Sequence, residues 1–283
     1  MKLIRSAARL SAFAHGLQRQ GRRIGVVPTM GALHAGHASL IRRSAAENDV
    51  TIVTIFVNPL QFGPLEDFRR YPRALKRDMA TARASGADIV FAPTAQDIYP
   101  PGFQTQIVPG LLARRWEGAS RPGHFQGVAT VVAILFELTR PSTAYFGRKD
   151  YQQSLIVKRL INDLRLPIRL RVLPTVRERD GLAMSSRNAY LSGLERRRAL
   201  ALFQALRAAA SRIRAGERRA PAIAAEMAGR LRRERGVRLE YAAVADAETL
   251  ESLRRLRPGR VALLVAARVG STRLIDNLLV DVP

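Results

Sequence analysis

Short apolar runs rich in Val and Ile alternate with segments of helical periodicity over the first 175 residues. The runs that predict strands are 24–28, 50–57, 88–92, 144–147 and 168–173. The segments that predict helices are 36–47, 73–85, 126–139 and 151–163, and residues 1–20 predict a short amphipathic helix. A run rich in Val, Ile and Thr, such as VTIVTIFV, is typical of a strand buried on both faces. The alternation therefore predicts an α/β fold whose parallel sheet is covered by helices on both sides.

The rest of the chain has a different pattern. Two segments rich in Arg, Ala and Leu, at 193–214 and 220–235, predict amphipathic helices. The later runs that predict strands of a small mixed or antiparallel sheet are 239–244, 260–267 and 272–277. A polar, turn-forming stretch, PTVRERDGLAMSSRN, separates the two parts. We therefore expect one domain over residues 1–176 and a second over residues 177–283.

The amino-acid composition excludes several kinds of site and of protein, and it leaves the predicted fold unchanged. The 283 residues include no cysteine, which excludes disulfides, thiolate metal sites and cysteine nucleophiles. Apolar residues make up 47% of the chain, so it can bury a core and is not disordered as a whole. No apolar run approaches the ~20 residues that span a bilayer, and the first 20 residues lack the apolar block of a signal peptide. We expect a cytoplasmic protein without a membrane partner.

The net charge of +24 makes nucleic acid a candidate partner. Only four of the 47 basic residues are Lys, and the other 43 are Arg. The charge is spread out: residues 1–175 hold 25 basic and 11 acidic residues, and residues 176–283 hold 22 basic and 12 acidic. A binding face usually concentrates its charge and interleaves aromatic residues, and the Arg-rich stretches do neither. Nucleic-acid binding is therefore kept only as the weaker alternative.

The stretch PTMGALHAGH at 28–37 follows a predicted strand and opens a predicted helix. Ligands of parallel α/β sheets bind at the carboxyl ends of strands, where helix N-termini favour phosphate. Gly31 and Gly36 let the backbone approach a ligand closely. His34 and His37 are three residues apart, so one helical turn puts both imidazoles on one side, where they can donate to phosphate oxygens. The alternative is a pair of surface or metal-binding histidines, and metal is disfavoured because no third ligand lies nearby in the sequence.

Two further turns follow predicted strands. NPLQFG contains Gln61, whose amide both donates and accepts, which suits a hydroxy acid or a carboxamide ligand. FGRKDYQQ offers Lys149 as a point charge for a phosphate, and Asp150 as an acceptor for a ribose hydroxyl or as support for a metal–phosphate complex. Gln153 lies one helical turn further, on the side of Asp150. The alternative for NPLQFG is an ordinary polar turn without a ligand. The alternative for Lys149 is that a lysine occurs in this turn by chance.

Two more motifs flank the predicted helices. RPGHFQGV precedes a strongly apolar helix; it is either a phosphate-facing helix start or lid, or a capping turn with a satisfied histidine. MSSRN combines small hydroxyls with a cation on a loop that can close over a triphosphate, and the alternative is a linker followed by a helix cap. Each motif is a modest signal alone, but the set is specific, because four of the five lie in strand-to-helix turns of one α/β pattern or in the adjacent hinge.

These motifs resemble the pantothenate synthetase (pantoate–β-alanine ligase) family over residues 20–195. HAGH is similar to the H-I-G-H motif, and MSSRN to the K-M-S-K-S motif, of the nucleotidyltransferase superfamily that includes class I aminoacyl-tRNA synthetases. The resemblance implies a Rossmann-like N-terminal domain, a smaller α+β C-terminal lid domain and a homodimer. It also implies that pantoate and ATP form pantoyl adenylate with Mg²⁺, and that the amine of β-alanine then gives pantothenate and AMP.

The resemblance also assigns residues by motif. The implied ATP-binding residues are Met30, Gly31, Ala32, Leu33, His34, Ala35, Gly36, His37, Gly147, Arg148, Lys149, Asp150, Val176, Met184, Ser185, Ser186 and Arg187. The implied catalytic residues are His37 as proton donor, with His34, Lys149, Ser186 and Arg187 acting on the phosphates. Gln61 and Gln153 would hold pantoate, and Gln61 would also face β-alanine. No residue is assigned as a metal ligand.

The sequence departs from the family pattern at two positions, and one other class of enzyme stays possible. Arg148 stands where the family usually has Glu, which adds positive charge beside the nucleotide, and Leu60 replaces a smaller polar residue. A related nucleotidyltransferase that transfers AMP or CMP to another small acid or phosphate stays open. The paired glutamines favour pantoate, because a phosphorylated acceptor would require more cations at those positions.

Overall fold

The computed structural model describes residues 1–64 and 66–283, which form two compact units. The first unit comprises Met1–Arg148 and Gln152–Pro174, and the second comprises Lys149–Tyr151 and Thr175–Pro283. The expected domain limits, 1–176 and 177–283, remain predictions. No helix among the described residues is long and apolar enough to cross a membrane.

The first unit is built on a six-stranded parallel sheet. In chain order its strands are β1 (Lys2–Ile4), β2 (Ile24–Thr29), β3 (Val50–Ile55), β4 (Ile89–Phe91), β5 (Thr143–Gly147) and β6 (Arg169–Leu173). Their order across the sheet is β1-β4-β3-β2-β5-β6, and every neighbouring pair is parallel. The chain runs outward from β2 through β3 to β4, and then returns to continue on the other side of β2 through β5 to β6.

Helices cover both faces of this sheet. They are α1 (Ala7–Arg19), α2 (Ala35–Glu47), α3 (Leu75–Ala84), α4 (Ala95–Ile98), α5 (Glu117–Ser120), α6 (His124–Thr139) and α7 (Tyr151–Asp163). Side chains alternate along a strand, so neighbouring residues enter different cores. Val26 and Ile52 pack in a core with α1, α6 and α7, whereas Val27 and Val53 pack with α2 and α3. The connections after β2 and β3 therefore use one face, and those after β4 and β5 use the other.

The second unit combines two helices with a small antiparallel sheet. The helices are α8 (Gly193–Arg214) and α9 (Ala220–Arg233), and the strands are β7 (Val237–Asp246), β8 (Gly259–Val269) and β9 (Thr272–Val282), in the order β7-β8-β9. Alternate residues of β8, among them Leu263 and Val265, pack in one core with Leu206 of α8 and Met227 of α9. This core gives the unit its own hydrophobic centre.

The predicted fold class is confirmed: a parallel sheet with helices on both faces is followed by a small α+β unit. The prediction of one helix from residue 1 is wrong at its start. Lys2–Ile4 is a strand that pairs with β4, and α1 begins only after Ser6, whose hydroxyl accepts the backbone N–H of Arg9. A three-residue strand is too short to show a period of its own, so the helical pattern that follows hides it.

Candidate active site

The carboxyl edge of the parallel sheet contains a point where the chain direction reverses. β2 and β5 are neighbours, yet the chain leaves β2 for α2 on one face and leaves β5 for α7 on the opposite face. A crevice forms where connections diverge in this way, and ligands of open α/β sheets bind there. Met30–His37 follow β2 and Arg148 follows β5, so two of the predicted motifs lie at this edge.

The turn after β2 is held in shape by a carboxylate from α3. Asp78 is 1% exposed, and its two oxygens accept the backbone N–H groups of Ala32 at 3.0 Å and of Leu33 at 2.7 Å. Gly31 and Ala32 both have positive φ, at 84° and 50°. For Ala32 that conformation is strained. The Asp78 carboxylate therefore offsets local strain and fixes where the following residues begin α2.

His34 and His37 cap the start of α2 with their rings 4.1 Å apart. Nδ1 of His34 accepts the backbone N–H of Gly36 at 3.1 Å, and Nδ1 of His37 accepts the backbone N–H of His34 at 3.3 Å. A ring nitrogen that accepts a hydrogen bond has no proton, so this network assigns the proton of each neutral ring to Nε2. Both imidazoles therefore present an N–H donor from Nε2, as their predicted role at phosphate oxygens requires.

Gln61 lies in a 3₁₀ turn, Pro59–Gln61, directly after β3 and is almost fully buried. Its Nε2 donates to Sδ of Met30 at 3.0 Å, so the NPLQFG turn touches the turn after β2. Its Oε1 accepts from Nδ2 of Asn58 at 3.1 Å, and Asn58 in turn accepts the hydroxyl of Tyr99 at 2.7 Å. Burial raises the pKa of Tyr99 well above its ordinary value, so this phenol stays a donor. The amide of Gln61 is thus oriented by neutral neighbours.

The histidine of RPGHFQGV is a satisfied, buried side chain, as one of the two interpretations of that motif expects. Nδ1 of His124 lies 2.8 Å from the backbone oxygen of Gln61, and its Nε2 lies 3.0 Å from Nη1 of Arg121. Burial, assisted by the positive charge of Arg121, lowers the pKa of His124 to about 4. His124 is therefore neutral near pH 7, and it donates from Nδ1 while Nε2 accepts.

The two adjacent glutamines of FGRKDYQQ have different roles. Gln152 is buried: its oxygen accepts the backbone N–H of Glu117, and its nitrogen donates to the carbonyls of Leu112 and Arg115. It therefore holds the segment before α6 and is structural. Gln153, the predicted pantoate ligand, is half-buried in the first turn of α7. The role of Gln153 as a pantoate ligand stays a prediction, whereas Gln152 is taken up by contacts within the protein.

Lys149 and Asp150 follow β5 but group with the second unit. Nζ of Lys149 lies 3.2 Å from Oδ1 of Asp150, and the Lys149 carbonyl accepts from Nδ2 of Asn277 at 2.7 Å. The Tyr151 hydroxyl donates to the carbonyl of Ala247. Contacts to two distant positions in the chain fix this short segment, so the lysine is presented from an anchored backbone.

The segment 176–188 of the second unit is a hydrogen-bonded turn. Met184 donates its backbone N–H to the Val176 carbonyl at 3.0 Å, and Ser185 caps the 3₁₀ turn Ser186–Tyr190 by accepting the N–H of Arg187 at 3.2 Å. Arg177 makes two hydrogen bonds to the buried carboxylate of Asp276, at 2.6 and 2.9 Å. Ser186 and Arg187 are both half-buried. The predicted phosphate residues thus lie on an ordered turn.

Several residues of this arrangement are absent from the sequence-based assignment. Asp78 is 45 or more positions away from the residues it holds, and no motif marks it. Asn58 and His124 do stand in quoted motifs, but the sequence offered only an ordinary polar turn for the first motif and a capping turn with a satisfied histidine for the second. Within the described part of the chain, no cluster of three or more His, Asp or Glu side chains is arranged to hold a metal ion.

A doubly wound parallel sheet with a glycine turn and two helix-capping imidazoles at its switch point defines a nucleotide-binding α/β protein. A family model for pantoate-beta-alanine ligase matches residues 2–279. This chain belongs to the pantoate–β-alanine ligase family and is an enzyme. It is 48% identical over 282 residues to the pantothenate synthetase of Moorella thermoacetica, covering 100% of this chain and 99% of that one. The pantothenate synthetase of Roseiflexus castenholzii is 54% identical over 258 residues, with 91% and 92% covered.

Solved structures agree with this assignment. A crystal structure of pantothenate synthetase from Thermus thermophilus matches with a TM-score of 0.92 at 46% identity, covering 98% of this chain and 99% of that chain. A pantoate-beta-alanine ligase from Francisella tularensis, complexed with beta-gamma ATP and beta-alanine, matches with a TM-score of 0.80 at 35% identity, covering 99% and 97%. Both similarities extend over nearly the whole chain, so they include both units.

Proposed function

We propose that this enzyme joins (R)-pantoate to β-alanine at the expense of ATP. The carboxylate of pantoate attacks the α-phosphorus of ATP, which releases pyrophosphate and forms pantoyl adenylate. The amine of β-alanine then attacks the acyl carbon, which releases AMP and forms pantothenate. The observation that supports this reaction most directly is the His34–His37 pair at the carboxyl end of β2, because both rings are fixed as Nε2–H donors.

The first step develops negative charge on the oxygens around phosphorus. Donors that are already oriented stabilise that charge without reorganisation. His37 is assigned as the proton-bearing catalytic group, and His34 assists at the phosphates. The positive end of the α2 dipole lies at the same turn and adds to the stabilisation. Neither step requires a covalent enzyme intermediate, which agrees with a chain that has no cysteine.

Pantoate is a hydroxy acid, and an amide can donate to its carboxylate and accept from its hydroxyls. We assign this role to Gln61 and Gln153, with Gln61 also facing β-alanine. Gln61 is almost fully buried, with Met30 and Asn58 against its amide. Neutral hydrogen-bonding groups around it favour a neutral hydroxyl or a single carboxylate over a phosphorylated acid, which would require cations.

We assign ATP to the turn 30–37, to Gly147, Arg148, Lys149 and Asp150, and to the turn around Val176 and 184–187. Lys149, Ser186 and Arg187 act on the phosphates during adenylation. The Lys149 side chain is 20% exposed, its ammonium lies 3.2 Å from Asp150, and its backbone carbonyl accepts from Asn277, so it offers a point charge from a held backbone. Arg187 has a planar guanidinium that suits bidentate contact with phosphate oxygens.

A magnesium ion fits these residues as a companion of the nucleotide. Mg²⁺ is usually held by one or two carboxylates together with substrate phosphates. Asp150 offers a half-exposed carboxylate beside Lys149 and would be the protein ligand. When bound, the ion would neutralise charge on the triphosphate. We further propose a homodimer, checked by light scattering of the purified chain, and a cytoplasmic location, where ATP is supplied.

The decisive experiment measures pyrophosphate release from purified protein with ATP and Mg²⁺, with and without D-pantoate and β-alanine. We expect release only when pantoate is present, and pantothenate with AMP once β-alanine is added. If a folded protein that binds ATP releases no pyrophosphate with pantoate, the acceptor is another acid. If it binds no ATP, the nucleotide assignment is wrong, and salt-dependent nucleic-acid binding becomes the next measurement.

A further inference from the structure

We propose that Arg121, His124 and Gly127 of the RPGHFQGV motif are positioning residues that set the geometry of the Gln61 turn, and so the affinity for the acid substrate. None of the three belongs to the binding and catalytic residues assigned to the proposed reaction. The proposal rests on the proposed function, because it takes Gln61 as the group that meets pantoate. It requires that three residues on one segment act on the same short turn.

The backbone carbonyl of Gln61 receives two donors from this motif. Nδ1 of His124 donates to it at 2.8 Å, and Nη2 of Arg121 donates at 3.2 Å. Both lone pairs of that oxygen are therefore used by side chains of the RPGHFQGV motif. A carbonyl held from two directions fixes the peptide plane, and the plane fixes the direction in which the Gln61 side chain leaves the backbone.

Arg121 is itself immobilised. Its Nε and Nη2 donate to the two oxygens of Glu66 at 2.7 and 2.6 Å, a bidentate pair in which the Arg121 side chain is only 11% exposed. Its Nη1 lies 3.0 Å from Nε2 of His124. Because Arg121 always donates, Nε2 of His124 must accept, and the proton of the neutral ring is placed on Nδ1, facing Gln61. Arg121 thus selects the tautomer of His124 that the turn requires.

Gly127 adds a steric constraint from the first turns of the same helix. A Cβ at Gly127 would lie 2.2 Å from the carbonyl oxygen of Leu60 and 2.7 Å from the nitrogen of Gln61. The carbonyl of Gly127 accepts from Nδ2 of Asn58 at 3.1 Å, and the same Nδ2 donates to Oε1 of Gln61. The helix backbone and the turn therefore touch directly, and only glycine permits this approach.

These contacts join the motif to the backbone of the Gln61 turn and to Asn58, so we expect the motif to act on pantoate through that turn. Removing the His124 donor should let the peptide plane of Gln61 rotate, which weakens pantoate binding while leaving the turn after β2 intact. The signature is a rise in KM for pantoate without a matching rise in KM for ATP. A purely structural role in packing α6 predicts no such split.

The test compares His124→Leu, His124→Asn and Gly127→Ala with Leu135→Ala, which removes a buried apolar side chain from the same helix. His124→Leu should raise the KM for pantoate by about tenfold or more, because a buried acceptor loses a donor. KM for ATP should stay within about twofold. His124→Asn should recover most of the loss, since its amide nitrogen can replace Nδ1. Gly127→Ala should reproduce the His124→Leu pattern with all donors still present.

Equal pantoate KM values in wild type and a folded His124→Leu protein would overturn the proposal, and so would the same KM rise in Leu135→Ala. A second readout does not depend on turnover. Nitrogen NMR of ¹⁵N-histidine protein should show His124 protonated at Nδ1, and the side-chain amide signal of Gln61 should move in His124→Leu but not in Leu135→Ala. A His124 ring protonated at Nε2 contradicts the positioning arrangement. A wild type without pantoate-dependent pyrophosphate release would instead contradict the proposed function.

Discussion

At the scale of single residues, the chain uses the same side chain in two opposite ways. His37 accepts a backbone N–H at Nδ1 and so has its proton on Nε2, whereas His124 donates from Nδ1 and accepts from Arg121 at Nε2. The first arrangement leaves the N–H donor on Nε2, as the proposed role of His37 requires, and the second directs the Nδ1 donor to the backbone of Gln61. Neighbouring groups, not the imidazole itself, therefore decide which ring nitrogen of each histidine bears the proton.

His37→Ala removes a donor that the proposed transition state uses. We expect the rate of pantoate-dependent pyrophosphate release to fall by ~10²-fold or more, with the fold retained because the side chain is only half-buried. His15→Ala is the matched control, since His15 is a half-buried histidine on α1. A folded His37→Ala protein with the wild-type rate would rule out its catalytic assignment.

The buried, neutral state of His124 makes the free energy of unfolding depend on pH. Burial, with help from the charge of Arg121 and against the opposing effects of the Gln61 carbonyl, Glu117 and Glu66, lowers its folded pKa to about 4, while the unfolded value is 6.5. Between these values the unfolded chain binds a proton that the folded chain does not, so stability falls as the pH falls through that window. At pH 5 the loss is about 2 kcal/mol.

Urea unfolding of wild type and His124→Asn at pH 7, 6 and 5 measures this effect. The wild type should lose stability more steeply between pH 6.5 and 4, because the variant has no imidazole to protonate. The carboxylates titrate in both proteins and cancel in the difference. Parallel pH profiles for the two proteins would show that His124 is not a buried neutral base.

At the scale of elements, α3 acts on α2 through one carboxylate. Asp78 accepts two backbone N–H groups from the turn that opens α2. Asp78→Asn keeps the shape but replaces one acceptor with an amide that faces an N–H donor. We expect the free energy of unfolding to fall by about 2 kcal/mol, and kcat to fall by roughly tenfold because His34 and His37 lose their fixed starting point.

Asp88→Asn is the control for this variant, because Asp88 also accepts a backbone N–H of the sheet, from Thr51 at 2.8 Å, at the amino end of β3. It should lower stability without lowering kcat. The double variant Asp78→Asn with Ala32→Gly should recover part of the lost rate, since glycine adopts the positive φ of residue 32 without strain. Equal kcat values for Asp78→Asn and Asp88→Asn would show that the Asp78 contact only stabilises the fold.

The elements also show how much of this molecule the sequence predicts. β3 follows from its sequence, because a short run rich in Val, Ile and Thr favours a buried strand. α8 begins and ends at its predicted residues, and a capping box formed by Ser192 and Glu195 fixes its start. The positions of Gln61 and the two α2 histidines follow from their strands. Asp78 and the Arg121–His124 pair act across 45 or more positions of sequence, and no local period or propensity encodes such contacts.

At the scale of the whole molecule, the net charge is +24, and the 23 acidic residues are too few to pair with all 47 basic residues. Several ion pairs are exposed, such as Arg23 with Asp49 and Arg260 with Asp281. Exposed pairs contribute little to stability, because water and salt screen the attraction between their charges. The repulsion among the excess arginines acts over the whole surface and is screened by salt within a Debye length. Repulsion should therefore outweigh the pairs at low ionic strength.

We accordingly expect the thermal unfolding midpoint to rise as NaCl increases from about 0.01 to about 0.15 M, where the Debye length shortens from about 30 to about 8 Å. Circular dichroism melts at matched pH measure this shift. A fall in the midpoint would mean that the arginine–carboxylate pairs are a net stabilising network. Pyrophosphate release measured over the same salt range should fall much less than nucleic-acid binding would, because the proposed substrates are small molecules and large counterion release requires a nucleic-acid polyanion. The salt series therefore distinguishes two effects: the excess positive charge changes the unfolding midpoint, whereas the rate of pyrophosphate release reports on the proposed site.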